Sequence, residues 1–314
     1  MKKFLQKFLK FANSWVGTII IVLFLIFFVA QSFVIPSGSM KRTQLIGDFL
    51  FAKKFSYGIP IPHLPWLEIP LLPDFNDNGH LIEGSRPQRE DIVIFRYPDN
   101  PKIHYVKRCV ALGGDELLYS DKKLYIHFFN LKTKKDILEK YPHAEIITLR
   151  DKLWVINPYM SKYPGIQYLP EYLGNSFGLL AQTYQTNRKI DMMPVHIDEL
   201  DENLFYKKVE ADHFYMIGDN RDNSNDSRFW GSVPYKLIVG KPWLIYMSIE
   251  FRSYAQVLKG EGGGADHDKL HRICPTIEID SKACETLWNN QRYTIRWGRV
   301  GRRIDTLQLE APIE

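Results

Sequence analysis

The sequence predicts a mainly β protein with an inserted second domain and one N-terminal transmembrane helix. Runs of β-branched and aromatic residues recur in both halves of the chain, and a stretch with no clear period separates them. Near the N-terminus, a run of about 21 mostly apolar residues matches the length of a bilayer-spanning helix. We therefore expect a short N-terminus at residues 1–14 and a transmembrane helix at 15–35. A β core in two parts would follow at 36–118 and 206–314, with an inserted lobe at 119–205.

The positive charge of the chain is concentrated beside the apolar run. The formal net charge is +5, whereas residues 1–47 alone hold six basic side chains and no acid, so the remainder is close to neutral. The six are Lys2, Lys3, Lys7, Lys10, Lys41 and Arg42. A protein that binds nucleic acid is expected to carry its basic excess in the folded domain. We therefore predict the lipid bilayer as a partner and no nucleic acid.

The lysines before the apolar run favour a cytoplasmic N-terminus, which places everything after residue 35 on the far side of the membrane. The alternative is a cleaved secretory signal with Ala30 near the cleavage point. The run is long for the core of such a signal, so we favour a single membrane anchor. No second apolar run approaches spanning length.

The strands of the core are predicted from period-two alternation and from β-branched and aromatic content. In order, they begin at Phe49 and then cover residues 92–97, 104–112, a hairpin at 117–126, 213–217, 233–247 and a final basic strand at 293–304. The stretch 58–73 holds five prolines and cannot be a central strand. Two placements stay open for it, on the membrane surface or packed against the core.

The three cysteines divide into a close pair and one remainder. Cys274 and Cys284 lie in the part expected to be exported, where a disulfide can form and persist. Cys109 is then left over and is expected to be buried. A metal site at the pair is a weaker alternative, because His267 and His271 lie nearby without the spacing typical of zinc ligands.

A small-residue turn, Ser37-Gly38-Ser39, follows the apolar run directly. A serine hydroxyl is a weak nucleophile unless a neighbouring base takes its proton. Lys107 is a candidate base, because period two makes it the only charge in an apolar row of strand positions: Ile103, Tyr105, Cys109 and Ala111. Burial in such a row lowers the pKa of a lysine. The alternative is an edge-strand lysine that faces solvent.

The polar loop at 218–228 has two interpretations. Asp222, Ser224 and Asp226 have the alternation of a calcium loop, but there is no glycine at the sixth position and no acid at the twelfth. The loop therefore fits a hydrogen-bonded turn better. Within it, Ser224 could orient a lysine amine, and Asp226 with Arg228 could form a structural ion pair.

Four separated stretches of the sequence occur in the order of one known family. They are Ile35-Pro-Ser-Gly-Ser-Met; Leu45-Ile-Gly-Asp followed by Lys54-Phe-Ser-Tyr-Gly; Tyr105-Val-Lys-Arg with Gly113-Gly-Asp; and Gly218-Asp-Asn-Arg-Asp-Asn-Ser-Asn-Asp-Ser-Arg. In these stretches the chain resembles the type I signal peptidases, membrane-anchored Ser-Lys endopeptidases that remove signal peptides from exported proteins. They span most of residues 33–240 and leave much of the inserted lobe and the loop 252–291 unmatched.

The resemblance implies that Ser39 is the nucleophile and Lys107 the general base. Ser37 would add its hydroxyl to the backbone amide of Ser39 as an oxyanion hole, and Ser224 would hold the lysine amine in place. Shallow apolar pockets for small side chains would be lined by Phe33, Ile35, Met40, Leu45, Tyr105 and Val106. Asp219, Asp226 and Arg228 would be structural residues near the site. The implied fold is mostly antiparallel β, and the implied chemistry needs no metal or cofactor.

Two positions depart from the family pattern. Arg42 stands where proline is usual in Met-x-Pro-Thr, and Glu90 stands where glycine is common in Arg-Gly-Asp. Neither belongs to the Ser-Lys pair. We therefore expect altered loop geometry with the chemistry retained.

The function expected on these grounds is cleavage of signal-peptide-bearing preproteins at the outer face of the bacterial cytoplasmic (inner) membrane. A single-pass anchor would keep the N-terminus cytoplasmic and hold the catalytic domain outside. One alternative is a Ser-His-Asp hydrolase that uses His104 or His213 with Asp219, although strand phase argues against His104. Another is a membrane-tethered binding or assembly protein with a degenerate site.

Overall fold

The structure is a computed structural model that describes residues 2–24, 30–64, 67–169, 176–186, 190–251, 274, 282–291 and 293–312. Several sequence expectations fall partly outside these residues. They concern the middle of the predicted transmembrane helix, a short part of the inserted lobe, most of the loop 252–291, and the metal alternative with His267 and His271.

Strands form most of the regular structure, and seven helices accompany them in the described residues. The strands are β1 (Ala30–Val34), β2 (Asp48–Lys53), β3 (Gly58–Pro60), β4 (His63–Leu64), β5 (Ile69–Pro70), β6 (His80–Glu83), β7 (Ile92–Tyr97), β8 (Asn100–Leu112), β9 (Glu116–Ser120), β10 (Lys123–His127), β11 (Glu145–Leu149), β12 (Lys152–Ile156), β13 (Met193–Ile197), β14 (Glu202–Lys208), β15 (His213–Ile217), β16 (Val233–Pro234), β17 (Ile238–Phe251) and β18 (Tyr293–Ile295). The helices are α1 (Lys2–Ala12), α2 (Trp15–Phe24), α3 (Lys134–Lys140), α4 (Ser176–Gln185), α5 (Ser227–Trp230), α6 (Lys282–Gln291) and α7 (Ile304–Leu307).

The larger sheet has eight strands, in the order β1-β2-β17-β7-β8-β15-β16, with β18 beside β17. Every pairing between these strands is antiparallel. The prediction of a mainly β, antiparallel fold is therefore confirmed. Buried apolar residues pack on the sheet in clusters that include Leu50, Ile94 and Ile245 in one and Phe95, Cys109 and Met216 in another. Of these, Cys109 belongs to the apolar row that period two predicts.

A second antiparallel sheet of six strands, in the order β11-β12-β10-β9-β14-β13, forms the inserted lobe. Its first two strands are the hairpin predicted at 117–126. The lobe was expected to be less regular than the core, and this was wrong. Its strands pair with partners distant in sequence, such as β9 with β14, so the sequence of each strand alone shows little alternation of apolar and polar residues. Pro194, a residue that disfavours central strands, lies on the edge strand β13. The strands of this sheet begin at Glu116 and end at Lys208, slightly outside the boundaries expected from sequence.

The predicted transmembrane helix of residues 15–35 is wrong at its C-terminal end. Helix α2 is described as far as Phe24, and β1 begins at Ala30. β1 pairs with β2 residue by residue, from Ala30 opposite Lys53 to Val34 opposite Phe49. The composition of these residues is compatible with a strand or with the end of a membrane helix. Their backbone hydrogen bonds to β2 and their packing against the core stabilise the strand. None of the described helices is both long enough and apolar enough to cross a bilayer.

The predicted final basic strand at 293–304 is also shorter than expected. β18 ends at Ile295, and a 3₁₀ turn, Trp297–Arg299, follows it. Arg299 is buried and donates to Asp48 Oδ2 at 2.7 Å and to the carbonyl oxygen of Thr43 at 3.1 Å. The end of the chain is thus bound to the segment that follows the small-residue turn, because a buried guanidinium requires a carboxylate partner.

In the described residues of the proline-rich stretch, β3 pairs with β6 and β4 with β5, in two-stranded sheets separate from the larger sheet. Cys274 and Cys284 are joined by a disulfide. Cys109 is free and buried, as the sequence suggested.

Candidate active site

The small-residue turn is a 3₁₀ turn, Gly38–Met40, that lies between β1 and β2. Ser39 lies within it and is 8% exposed. The polar loop at 218–228 holds the turn from the other side. The backbone amide of Asn220 donates to the Ser39 carbonyl oxygen at 3.0 Å, and its side-chain amide donates to the Gly38 carbonyl oxygen at 3.0 Å. Two distant segments of the sequence therefore fix the position of the serine.

Lys107 reaches this serine from β8. Its Nζ donates to Ser39 Oγ at 2.7 Å and to the carbonyl oxygen of Val106 at 3.1 Å. The residue is 4% exposed. Burial lowers the pKa of Lys107 to about 8, although the carboxylates of Asp226 and Asp219 act in the opposite direction. The geometry thus places a lysine of reduced basicity within hydrogen-bond distance of a buried serine hydroxyl.

Gly218 allows Ser39 and Ser224 to approach each other closely. A Cβ at this glycine would lie 2.3 Å from Ser224 Oγ and 2.5 Å from the Ser39 carbonyl oxygen. Ser224 is buried, and its hydroxyl helps to lower the pKa of Asp226. It nevertheless has no hydrogen-bond partner of normal geometry among the described residues. The structure therefore places Ser224 beside the site without a bond to Lys107.

Two fully buried ion pairs support the site. Arg108 donates to both carboxylate oxygens of Asp219 at 2.8 Å, and Arg228 donates to those of Asp226 at 2.8 and 2.9 Å. Burial alone would raise the pKa of each aspartate, but the paired guanidinium holds it below the ordinary value. Thr43 adds a hydrogen bond of 2.6 Å to Asp219. The Arg108–Asp219 pair holds the polar loop against β8, which carries Lys107, and the Arg228–Asp226 pair lies within the loop itself.

A cavity of about 380 Å³, called here the substrate cavity, opens beside Ser39 and Lys107. Of the six residues expected to bind substrate, four line this cavity: Phe33, Ile35, Tyr105 and Val106. Met40 is instead completely buried, with its sulfur accepting from the amide of Asp219 at 3.4 Å, and Leu45 is not among the lining residues. Ser37 does line the cavity, and its side chain makes no capping bond.

Sequence reasoning missed several residues of the cavity wall, among them Ile94, Asn223 and Asn225. The signals were present but ambiguous. Ile94 belongs to a β-branched run in which every position could be core, and it packs in the same buried cluster as Ile35. Asn223 and Asn225 belong to a loop where polar residues are expected whether or not they contact a ligand.

The groups of the alternative triad are not brought together. Asp219 is bound to Arg108, and His213 Nδ1 is bonded to the carbonyl oxygen of Ala211. His104 lines the cavity, but its Nε2 is oriented towards Glu68 Oε2 at 3.8 Å. Burial lowers the pKa of His104 to about 4.

The two positions that depart from the family pattern both have left-handed backbone conformations. Arg42 has φ +83° and Glu90 has φ +80°. Proline cannot adopt such a φ, whereas glycine adopts it readily. The expected change of loop geometry therefore applies at Arg42. At Glu90 the backbone suits glycine, and the carboxylate accepts from Lys162 at 2.6 Å and from Tyr163 at 2.7 Å.

Comparison with known proteins gives one consistent family. The family model described as signal peptidase, peptidase S26, matches residues 8–247. The chain is 45% identical to signal peptidase I of Helicobacter pylori strain J99 over 311 residues, which are 98% of this chain and 96% of that protein. It is 34% identical to signal peptidase I of Pseudomonas fluorescens over 250 residues, 76% of this chain and 72% of that protein. A crystal structure of a signal peptidase I from Enterococcus faecalis is 22% identical and covers 50% of this chain and 97% of that chain, with a TM-score of 0.24.

Proposed function

Because the chain belongs to the signal peptidase family, peptidase S26, and is a serine endopeptidase, we propose that Ser39 is its nucleophile and Lys107 its general base. The observation that carries this proposal is the 2.7 Å hydrogen bond between Lys107 Nζ and Ser39 Oγ inside a buried site. A lysine can act as a base only when its amine is neutral, and the pKa of about 8 makes the neutral form accessible near physiological pH.

In the proposed reaction, the Ser39 hydroxyl donates its hydrogen bond to the neutral amine of Lys107. Oγ attacks the carbonyl carbon of the scissile peptide while the amine takes the proton. The resulting ammonium then donates that proton to the leaving nitrogen, and the mature polypeptide departs. A water molecule, deprotonated by Lys107, hydrolyses the acyl-enzyme in the second half of the reaction.

The negative charge that develops on the substrate carbonyl oxygen needs hydrogen-bond donors. We assign this role to the Ser37 hydroxyl and the Ser39 backbone amide. Ser37 lies on the wall of the substrate cavity with an extended backbone and an exposed side chain, so its hydroxyl can turn towards that oxygen. Removing one donor of an oxyanion hole typically costs about 10²–10³ in kcat.

The substrate is a signal-peptide-bearing preprotein, as for the family in general. The residues before the scissile bond would lie in the substrate cavity, where Phe33, Ile35, Ile94 and Val106 offer an apolar wall. A cavity with such walls favours small apolar side chains, since polar groups would lose hydrogen bonds to water there.

The larger sheet would be the catalytic core, and the N-terminal segment would hold it at the outer face of the bacterial cytoplasmic membrane. Large apolar side chains of α2 are exposed, among them Trp15, Val16 and Ile19. The lysines of α1 precede them, which favours a cytoplasmic N-terminus. Because residues 30–34 form β1, the anchor would end before this strand.

The test is the cleavage of a purified preprotein by the full-length protein in detergent. We expect Ser39→Ala and Lys107→Ala to lose about three orders of magnitude or more in kcat/KM, since nucleophile and base act as a unit. His213→Ala is the matched control and should retain the parent rate. A Lys107→Ala variant that cleaves at nearly the parent rate would refute the proposed base. A folded parent protein that cleaves no presequence would favour a non-catalytic tethered protein.

A further inference from the structure

A second, smaller cavity is lined in part by Lys41 and Arg42, which follow the nucleophile turn in sequence. It has a volume of about 170 Å³ and is called here the basic cavity. The side chains that matter for the argument are those of Lys41, Arg42, Gln167, Tyr168, Asn220 and Asn223. Asn223 also lines the substrate cavity, so the two cavities meet at this residue. The basic cavity therefore neighbours the space in which the proposed reaction takes place.

One wall of the basic cavity comes from the catalytic core and directly follows the nucleophile. Lys41 and Arg42 lie immediately after the 3₁₀ turn that contains Ser39, and the amide of Lys41 donates to the Gly38 carbonyl oxygen at 2.9 Å. Asn220 binds the carbonyl oxygens of both Gly38 and Ser39. A structural change in this wall would therefore also affect the turn that holds Ser39.

The opposite wall comes from the inserted lobe. Gln167 pairs with Asn220 in a parallel β-bridge. The backbone amide of Gln167 donates to the backbone carbonyl oxygen of Asp219, and the backbone amide of Arg221 donates to the backbone carbonyl oxygen of Gln167. Gly165 lies so close to the core that a Cβ there would be 2.4 Å from Thr43 Oγ1. These contacts hold the lobe segment rigidly beside the nucleophile turn. The lobe, to which the sequence assigned no role, thereby supplies part of the surface next to the reaction.

The charge of the basic cavity has one sign. Among the described residues that line it, two are cations and none is a carboxylate. The side chain of Lys41 is exposed. Asp222, an acid of the polar loop that does not line the cavity, accepts from the backbone amides of Leu169 at 2.8 Å and Ser176 at 3.2 Å. The amides of Gln167 and Asn223 add polar groups to the wall, so a carboxylate would find both charge and hydrogen-bond donors.

We infer that the basic cavity receives an acidic side chain of the preprotein from the first few residues after the scissile bond. This rests on the proposed function, because it takes Ser39 as the nucleophile. The substrate cavity takes the residues before the scissile bond, so the departing polypeptide extends beyond it, and the basic cavity is its neighbour. An aspartate or glutamate there forms an ion pair with Lys41.

The experiment compares preproteins that differ only at the first, second or third residue after the scissile bond. Each position carries aspartate, its neutral isostere asparagine, or lysine, and kcat/KM is measured with the full-length protein in detergent at low ionic strength. At one of these positions we expect aspartate to be cleaved about threefold faster than asparagine, the effect of a partly exposed ion pair, and lysine more slowly than either. Added salt should reduce the difference.

Charge reversal on the enzyme makes the test specific. Lys41→Gln should abolish the preference for aspartate, and Lys41→Glu should reverse it in favour of lysine. The matched control is Lys123→Glu on β10, an exposed residue that does not line the cavity and makes the same change in net charge. It should keep the preference of the parent.

The outcomes separate this inference from the proposed function. Equal cleavage of the aspartate and asparagine substrates by the parent overturns the inference and leaves the peptidase assignment intact. An equal loss of preference in Lys123→Glu also overturns it, because the effect would then come from net charge alone. If the parent cleaves none of the substrates, the proposed function itself fails.

Discussion

The pH dependence of cleavage tests the chemistry most directly. The perturbation is pH alone, and the group that responds is Lys107, whose pKa is lowered by burial from 10.5 to about 8. With a pKa of about 8, the neutral fraction of the amine is about 1% at pH 6, about 9% at pH 7 and about 90% at pH 9. We therefore expect kcat/KM to rise about tenfold per pH unit below pH 7 and to level off above pH 8 to 9.

The assay uses a preprotein without titratable residues near its cleavage site, in detergent at constant ionic strength from pH 5.5 to 9.5. Intrinsic fluorescence at each pH checks that the protein stays folded. An ordinary lysine would still be gaining activity above pH 10, since only about 3% of it is neutral at pH 9. A midpoint near 6.5 would point to histidine instead. Either profile would refute the assignment of a buried lysine base.

Three further predictions concern stability and packing. Gly218→Ala should lose at least tenfold in activity, because its Cβ would overlap Ser224 Oγ at 2.3 Å and the Ser39 carbonyl oxygen at 2.5 Å. The control is Gly298→Ala, whose Cβ would meet nothing within 4 Å and which should behave as the parent. Lys107→Met should raise the free energy of unfolding at pH 7 by about 1–3 kcal/mol. This gain should shrink from about pH 8 to 10.5, because the unfolded parent binds more protons there than the folded parent and the parent therefore becomes more stable. A gain that stays constant across this range in urea titrations would contradict the burial argument. Arg108→Met should lower the free energy of unfolding by about 3–5 kcal/mol, because it leaves the carboxylate of Asp219 buried and unpaired. Adding Asp219→Asn to this variant should restore part of the lost stability. If the double variant loses as much stability as the two single variants together, the two residues are not coupled.

The part of the fold that could be predicted from sequence is the part specified by neighbouring residues. The β9–β10 hairpin needs only a short turn between two short apolar and aromatic runs, so the local pattern is sufficient. β1 is different, because its residues continue the apolar run that predicts a membrane helix. What makes them a strand is the backbone of β2 and the core around Leu50, and neither is visible in the run itself.

The candidate site shows the same division. The short motifs around Ser39 and Lys107 identify the two residues that the structure brings together. Alternation also placed Arg108 on the opposite face of its strand, but its carboxylate partner, Asp219, lies 111 residues away in sequence. Long-range pairs of this kind depend on topology, which the local pattern does not contain. The basic cavity was missed for the same reason, since its two walls come from different parts of the chain.

The buried contact between Arg299 and the segment from Thr43 to Asp48 joins residues that are 251 to 256 positions apart in sequence. A ribosome adds Arg299 256 residues after Thr43. Until then Asp48 lacks this buried counter-charge, and the segment that follows the nucleophile turn lacks one of the contacts that fix it. We expect newly synthesised protein to stay inactive until Arg299 has been made and can bind this segment. Products truncated before Arg299 would contain every proposed catalytic group and still fail to process a preprotein.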